Sequence, residues 1–248
     1  MRNTVFISWK DPQVNFWYVI GRLSEGEDGY SFSYTKGVKK ASRFVPFFGM
    51  PDLNKKYNSP NLFPVFANRL MKPSRSNFRE YIEWLDLPAD QADPLTILSR
   101  SEGRRTTDSF QIFRKPELNE EGSFSTVFFV HGLSHCDEDA DRLVSNLKEN
   151  DSLEIKYEEN NPRDDTALLV SVDNPKKKIG YVPRYLSKNI VKLVKENTKL
   201  VTVKVVRERE DVPYHYRLLC SISGHVPWHL KSSFFSDEEY EDYSALKI

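Results

Sequence analysis

Apolar and polar residues alternate with a period of two at the start of the chain, which predicts strands. Residues 3–9 and 16–22 both follow this pattern, separated by Asp11-Pro12-Gln13. A turn rich in glycine and acids over residues 25–29 leads into Tyr30-Ser31-Phe32-Ser33-Tyr34, a strict two-residue repeat with one aromatic face. Residues 36–60 carry scattered Gly and Pro and read as a long loop. The period then changes to that of a helix, with Ser76 as cap and Phe78, Tyr81, Ile82 and Leu85 on one stripe. Asp93-Pro94 opens a second helix, with a capping carboxylate followed by proline at the first helical position. Residues 110–113 read as a strand. The polar stretch KPELNEEGSFS, 115–125, marks a boundary. Beyond it, strands are predicted at 126–130, 153–158, 167–172 and 178–182, with a hairpin from 200–207 and 216–223. Helices are predicted at 137–147 and 184–196, the latter with Leu186, Ile190, Leu193 and Val194 at helical spacing. The expected fold class is α+β in two small domains, 1–117 and 125–223, followed by an acidic, aromatic tail at 224–248. Phe234, Phe235, Tyr240 and Tyr243 in that tail are candidates for an exposed docking motif.

Net charge is zero, with 36 basic and 36 acidic side chains, so no global field draws the chain onto nucleic acid or a membrane. The local pattern is uneven. Residues 1–117 carry a surplus of five positive charges and residues 118–248 a surplus of five negative ones. Residues 137–165 hold 11 acids and 4 bases, whereas 176–207 hold 10 bases and a single acid, Glu196. This swing reads either as two solvated faces or as a basic surface for phosphates. Two cysteines, Cys136 and Cys220, are too few for a disulfide framework and fit a reducing compartment. No apolar run approaches the roughly 20 residues of a membrane helix, and residues 2–9 contain no signal-peptide core. The expected location is therefore the cytoplasm, with no membrane partner.

Familiar catalytic signatures are missing. None of the ten glycines forms Gly-x-Gly, and neither a phosphate loop nor a Gly-x-Ser-x-Gly elbow occurs. His135-Cys136-Asp137 mimics a kinase His-x-Asp, but Arg142 stands where that loop needs Asn. His131, His135 and Cys136 fall one ligand short of a closed zinc site, and no Cys-x-x-Cys pair is present. Asp139 and Asp141 followed by Glu154-Ile155-Lys156 fit the carboxylate-and-lysine pattern of a metal-dependent nuclease at a permissive spacing. The expectation is a non-enzyme without catalytic residues, metal or cofactor.

One segment carries a specific pattern. Phe128-Phe129-Val130-His131-Gly132-Leu133 is followed by a helix, then by Asn161-Pro162-Arg163-Asp164-Asp165-Thr166-Ala167, and later by Ile179-Gly180-Tyr181-Val182-Pro183-Arg184. Asn161-Pro162 ahead of Asp164 makes a turn whose side chains bond local backbone and present Arg163 outward. Gly180 permits close backbone passage, Tyr181 offers a flat face and a hydroxyl, and Pro183 starts a helix. This order of motifs resembles the HIRAN domain, over about residues 125–223. The resemblance implies a small β-rich domain of OB-like character and a pocket for the 3′-hydroxyl end of single-stranded DNA. Carried over by position, an arginine and a tyrosine are expected after Leu133, where this chain has Ser134 and His135. The aromatic expected between Pro162 and Asp164 is Arg163. Asp164, which in the family bonds the terminal hydroxyl, is retained, and Tyr181 stands where the family has Tyr or His. The candidate nucleic-acid residues are Ser134, His135, Arg163, Asp164, Tyr181 and Arg184, with Lys176, Lys177 and Lys178 adding phosphate charge.

The N-terminal half carries Val19-Ile20-Gly21-Arg22-Leu23, the repeat at 30–34, and Phe63-Pro64-Val65-Phe66-Ala67-Asn68-Arg69-Leu70-Met71 ahead of a helix. These resemble the N-terminal subdomain of HipA-type toxin kinases, although Leu70-Met71-Lys72-Pro73-Ser74 replaces that family's Leu-Leu-Pro-Glu-Gly stretch. The resemblance implies an antitoxin-like or defence-associated adaptor of bacterial type, docking a HipA-like kinase or another protein while its HIRAN half binds single-stranded DNA or DNA ends. The alternative is a purely protein-binding regulator with a vestigial HIRAN site, which the acidic segments 137–165 and 237–242 favour.

Overall fold

The structure, a computed structural model, describes residues 3–173 and 175–246. They divide into two compact units, one drawn from residues 3–115 with 236–246 and the other from 116–235.

The first unit is built on an antiparallel sheet of five strands, β1 (Asn3–Lys10), β2 (Trp17–Gly26), β3 (Gly29–Tyr34), β4 (Tyr57–Ser59) and β5 (Phe110–Phe113), in the order β4-β3-β2-β1-β5. Alternation, with a bulge at Ile20 between the pairs Ile7–Gly21 and Ser8–Val19, puts Val5, Ile7, Ile20, Leu23, Phe32 and Tyr34 into one core. The predicted long loop is anchored by Tyr34, whose hydroxyl donates to Met50 O at 2.8 Å and accepts from Phe47 N at 2.7 Å. Burial raises the pKa of that phenol to about 12. Three short helices follow: α1 (Pro64–Ala67), α2 (Phe78–Trp84) and α3 (Pro94–Arg100). Asp93 caps α3 as expected, accepting from Leu95 N and Thr96 N at 3.0 Å each. The cap of α2 is Asn77 rather than Ser76, and no side chain bonds its first turn. The reason is a preceding backbone turn, in which Phe78 N donates to Arg75 O at 3.0 Å.

The second unit holds β6 (Ser123–Phe129), β7 (Ser152–Tyr157), β8 (Leu168–Val172), β9 (Lys177–Tyr181), β10 (Val201–Glu208) and β11 (Leu218–His225). Their order is β6-β11-β10-β7-β8-β9, antiparallel throughout. The chain leaving β6 returns to the far edge: His131 and Tyr181 exchange backbone hydrogen bonds of 3.0 and 2.9 Å. The two sheet edges thus meet at a single bridge, an incomplete closure. The unit also holds the helices α4 (Glu138–Ser145), α5 (Arg184–Glu196), α6 (Tyr214–Arg217) and α7 (Trp228–Lys231). On α5 the predicted stripe of Leu186, Ile190, Leu193 and Val194 is buried. The last strand begins at Leu218 rather than 216, because Pro213 initiates a helical turn closed by Tyr216 N to Pro213 O at 2.8 Å.

Of the tail's candidate docking rings, Phe234, Phe235 and Tyr240 are buried and Tyr243 is half-buried, because they are much of its apolar surface. Phe234 and Phe235 are buried in the second unit, Phe234 against Phe124 and Phe235 with its N–H on Asn189 Oδ1 at 3.0 Å. Tyr240 is buried in the first unit, edge-on to Phe6 at 5.1 Å, and Tyr243 packs on the same unit's core. Residues 247 and 248 of that tail lie outside the described residues.

Candidate nucleic-acid interface

Three segments converge where the sheet edges meet. The first is the turn after β6. Gly132 adopts φ 81°, a left-handed conformation that favours glycine, and starts the short 3-10 turn Leu133–His135. A Cβ on Gly132 would lie 3.6 Å from the Tyr181 ring, so the turn sits directly against that ring. Leu133 is buried, while Ser134 and His135 are exposed, and neither side chain has a partner among the described residues.

The second segment is the connection from β7 to β8. Asn161 Oδ1 accepts from Arg163 N at 2.9 Å and Asp164 N at 3.0 Å, the side-chain-mimicked turn that the sequence predicts. Arg163 is exposed at its tip, with no side-chain partner among the described residues. Asp164 is held through one oxygen only. Its Oδ1 accepts from Thr166 N at 2.9 Å, Thr166 Oγ1 at 2.8 Å and the Arg184 guanidinium. Its Oδ2 receives no hydrogen bond within the described residues, and the side chain is about a quarter exposed.

The third segment is the end of β9 and the start of α5. Gly180 is there for space: a Cβ would lie 2.5 Å from both His131 O and Val130 Cγ1. The Tyr181 hydroxyl donates to Glu158 Oε2 at 3.0 Å and accepts from Lys178 Nζ at 2.6 Å, and Asn161 Nδ2 lies 3.4 Å away. Lys178 also stands 4.3 Å from the centre of the Tyr181 ring. Asn161 donates to Glu158 at 2.5 Å, and this bond, with help from Tyr181 and the Lys178 charge, holds the Glu158 carboxyl below its ordinary pKa. Glu158 is thus the buttress that ties the Asn161 turn to Tyr181, a role the sequence reading missed. The available signal was a carboxylate at a strand end three residues before Asn161.

Arg184 sits on the first turn of α5 and links Asp164 to Asp165, the latter at 2.9 Å. The opposed charge segments therefore pair with each other in part. Lys176 bonds Glu154 at 2.6 Å and Lys177 bonds Asp137 at 2.7 Å. Each bond raises the lysine pKa and lowers that of its acid. The lysine run consequently divides three ways. Lys178 joins Tyr181, Lys177 sits at the cap of α4, and Lys176 lies over β7. The carboxylates of the nuclease-like pattern are likewise engaged, Asp141 with Arg217 at 2.5 Å and Glu154 with Lys176. Among the described residues no group of three His, Cys, Asp or Glu side chains is placed to hold a metal. No helix of these residues is long and apolar enough to cross a membrane.

Comparison with known proteins gives the domain its family. Residues 123–227 match the model of the HIRAN domain. Among solved structures, the HIRAN domain of human HLTF is 17% identical, covering 49% of this chain and 93% of that one at a TM-score of 0.36. A protein from Lactobacillus plantarum solved by a structural genomics consortium is 19% identical, covering 42% of this chain and 97% of that one at a TM-score of 0.34. No curated protein matches the chain. Residues 123–227 of this two-unit α+β chain are a HIRAN domain.

Proposed function

We propose that the chain is a nucleic-acid-binding adaptor whose HIRAN domain holds the 3′ end of a single strand. The observation that carries this reading is the Asp164 carboxylate. Three donors fix its Oδ1, which orients the group in advance, while Oδ2 stays open to accept a terminal hydroxyl. Around it, Tyr181 offers a ring face for the last base, and Arg163, with no protein partner, offers a guanidinium for base or phosphate. His135 and Ser134 extend the surface along the turn that starts at Gly132. The test is fluorescence anisotropy with a labelled single-stranded 10-mer and a blunt duplex of the same sequence. The single strand binds more tightly, and Arg163→Ala weakens it. Equal affinity for the two probes contradicts the proposal.

A second reading concerns the first unit. Phe48 is fully exposed there and Val45 nearly so, an apolar loop tip suited to docking a protein. The partner implied by the sequence resemblance is a HipA-like kinase, which would make the chain an antitoxin-like regulator. Co-purification with such a kinase, lost in Phe48→Ser, supports that partnership, and unchanged co-purification removes the loop from it.

A further inference from the structure

The second unit holds a cleft that lies outside the Asp164 site. It arises from a failure of pairing. β7 and β10 pair at Leu153–Val203 and Ser152–Lys204, and the ladder then stops. The next positions in register, Glu154 opposite Thr202 and Ile155 opposite Val201, do not pair. From Glu154 onward β7 is paired through its other edge, with β8. A wedge opens between the diverging strands, and the turn Thr198–Leu200 stands at its mouth. That turn is fixed by Asn197, whose side chain accepts from Lys199 N at 2.9 Å. The resulting cleft has a volume of about 500 Å³, within the range of small-ligand sites.

Its lining is unlike that of the HIRAN pocket. Leu153, Ile155 and Val201 supply apolar surface, and Thr198 supplies a hydroxyl. Three lysines line it, Lys156, Lys176 and Lys199, against one acid, Glu154. Glu154 is taken by Lys176, whereas the ammonium groups of Lys156 and Lys199 have no partner among the described residues. A concave surface with a formal surplus of two positive charges and a hydroxyl donor has the chemistry of a phosphate site.

We propose that this cleft between β7 and the Thr198–Leu200 turn binds a phosphorylated ligand carrying two or more phosphate groups, with Lys156 and Lys199 as its cationic contacts. The phosphates of a free nucleotide or polyphosphate and those of a nucleic-acid strand share this chemistry. The proposal stands independently of the Asp164 site.

The experiment is a titration of the full chain, followed by amide NMR shifts, with inorganic triphosphate in one arm and a 3′-phosphate-blocked single-stranded 10-mer in the other. The amides of Ile155, Thr198 and Lys199 shift with triphosphate, and Lys156→Ala/Lys199→Ala weakens that binding about tenfold, as loss of charged hydrogen-bond donors predicts. Asp164→Ala leaves it unchanged, which separates this site from the other. The same shifts with the blocked 10-mer identify a nucleic-acid strand as the source, and shifts with triphosphate alone identify a free phosphate compound. The double variant replaces exposed side chains, and for both variants a wild-type amide spectrum away from the substitution confirms the fold. If neither probe moves those amides, or the double variant binds triphosphate as the wild type does, the cleft is not a phosphate site.

Discussion

At the scale of single residues, the HIRAN site depends on contacts too close to tolerate an added atom and on one carboxylate with a fixed environment. Gly180 illustrates the first. Gly180→Ala forces a methyl group to 2.5 Å from the His131 carbonyl, against the bridge that joins the two sheet edges. The expected cost is about 1–3 kcal/mol, by analogy with overpacked cores, read as a lower urea midpoint. An unchanged midpoint contradicts the close approach. Glu158 illustrates the second. Its pKa is depressed in the folded chain by the bonds from Asn161 and Tyr181. A depressed carboxyl stabilises the fold above its unfolded value, and that contribution is lost as pH falls through the folded value. A carboxyl titration followed by NMR therefore places the Glu158 midpoint below the ordinary 4.5. In Asn161→Ala the midpoint moves back up. A midpoint at or above 4.5 in the wild type removes Glu158 as the buttress of the turn.

At the scale of elements, most strands and the longest helix were legible because their side-chain period is local. The span of α5 coincides with the predicted 184–196, since its buried stripe repeats at helical spacing. The Asn161 turn was legible for the same reason, its bonds running within three residues. Features that depend on distant pairing were not. The bridge of His131 to Tyr181, the hydrogen bond of Tyr181 to Glu158 and the parting of β7 from β10 involve residues far apart in sequence. The lysine run shows this limit most clearly. Three adjacent like charges read as one patch, but strand geometry sends Lys176, Lys177 and Lys178 to three different partners. The tail was misjudged because its acids suggested solvent, while burial was decided by its aromatic rings. Tyr240 covers Phe6 on β1, and Asp242 bonds Arg22 at 2.6 Å within the same unit. Tyr240→Ala is expected to cost about 3 kcal/mol, the usual order for deleting a buried aromatic side chain. Thermal unfolding checks this, and a loss under 1 kcal/mol would mean the segment adds little.

At the scale of the whole molecule, a chain with no net charge must bind nucleic acid through shape and a few local cations. The cross-pairing of acidic and basic segments reinforces this, since Lys176, Lys177 and Arg184 are already matched to carboxylates. Binding through about three phosphate contacts gives a plot of log affinity against log salt with a slope near −2 for a single strand. A slope of −5 or steeper would contradict binding through so few cations. The HIRAN unit accounts for less than half of the chain, and the first unit has its own sheet and core, so the molecule is suited to join two activities. Nucleic-acid binding is assigned to the second unit, and the exposed Val45 and Phe48 tip of the first is its candidate contact with a protein.

The central claim is that Asp164 presents one free carboxylate oxygen to a terminal hydroxyl. Its most direct test compares, by anisotropy, two single-stranded 10-mers that differ only in a 3′-hydroxyl or a 3′-phosphate, against the wild type and Asp164→Ala. A hydrogen bond to a charged acceptor contributes about 1.5–3 kcal/mol, so the hydroxyl probe should bind the wild type at least tenfold more tightly. Asp164→Ala should erase that preference. Equal binding of the two probes by the wild type, or a preference that survives in Asp164→Ala, would contradict the account.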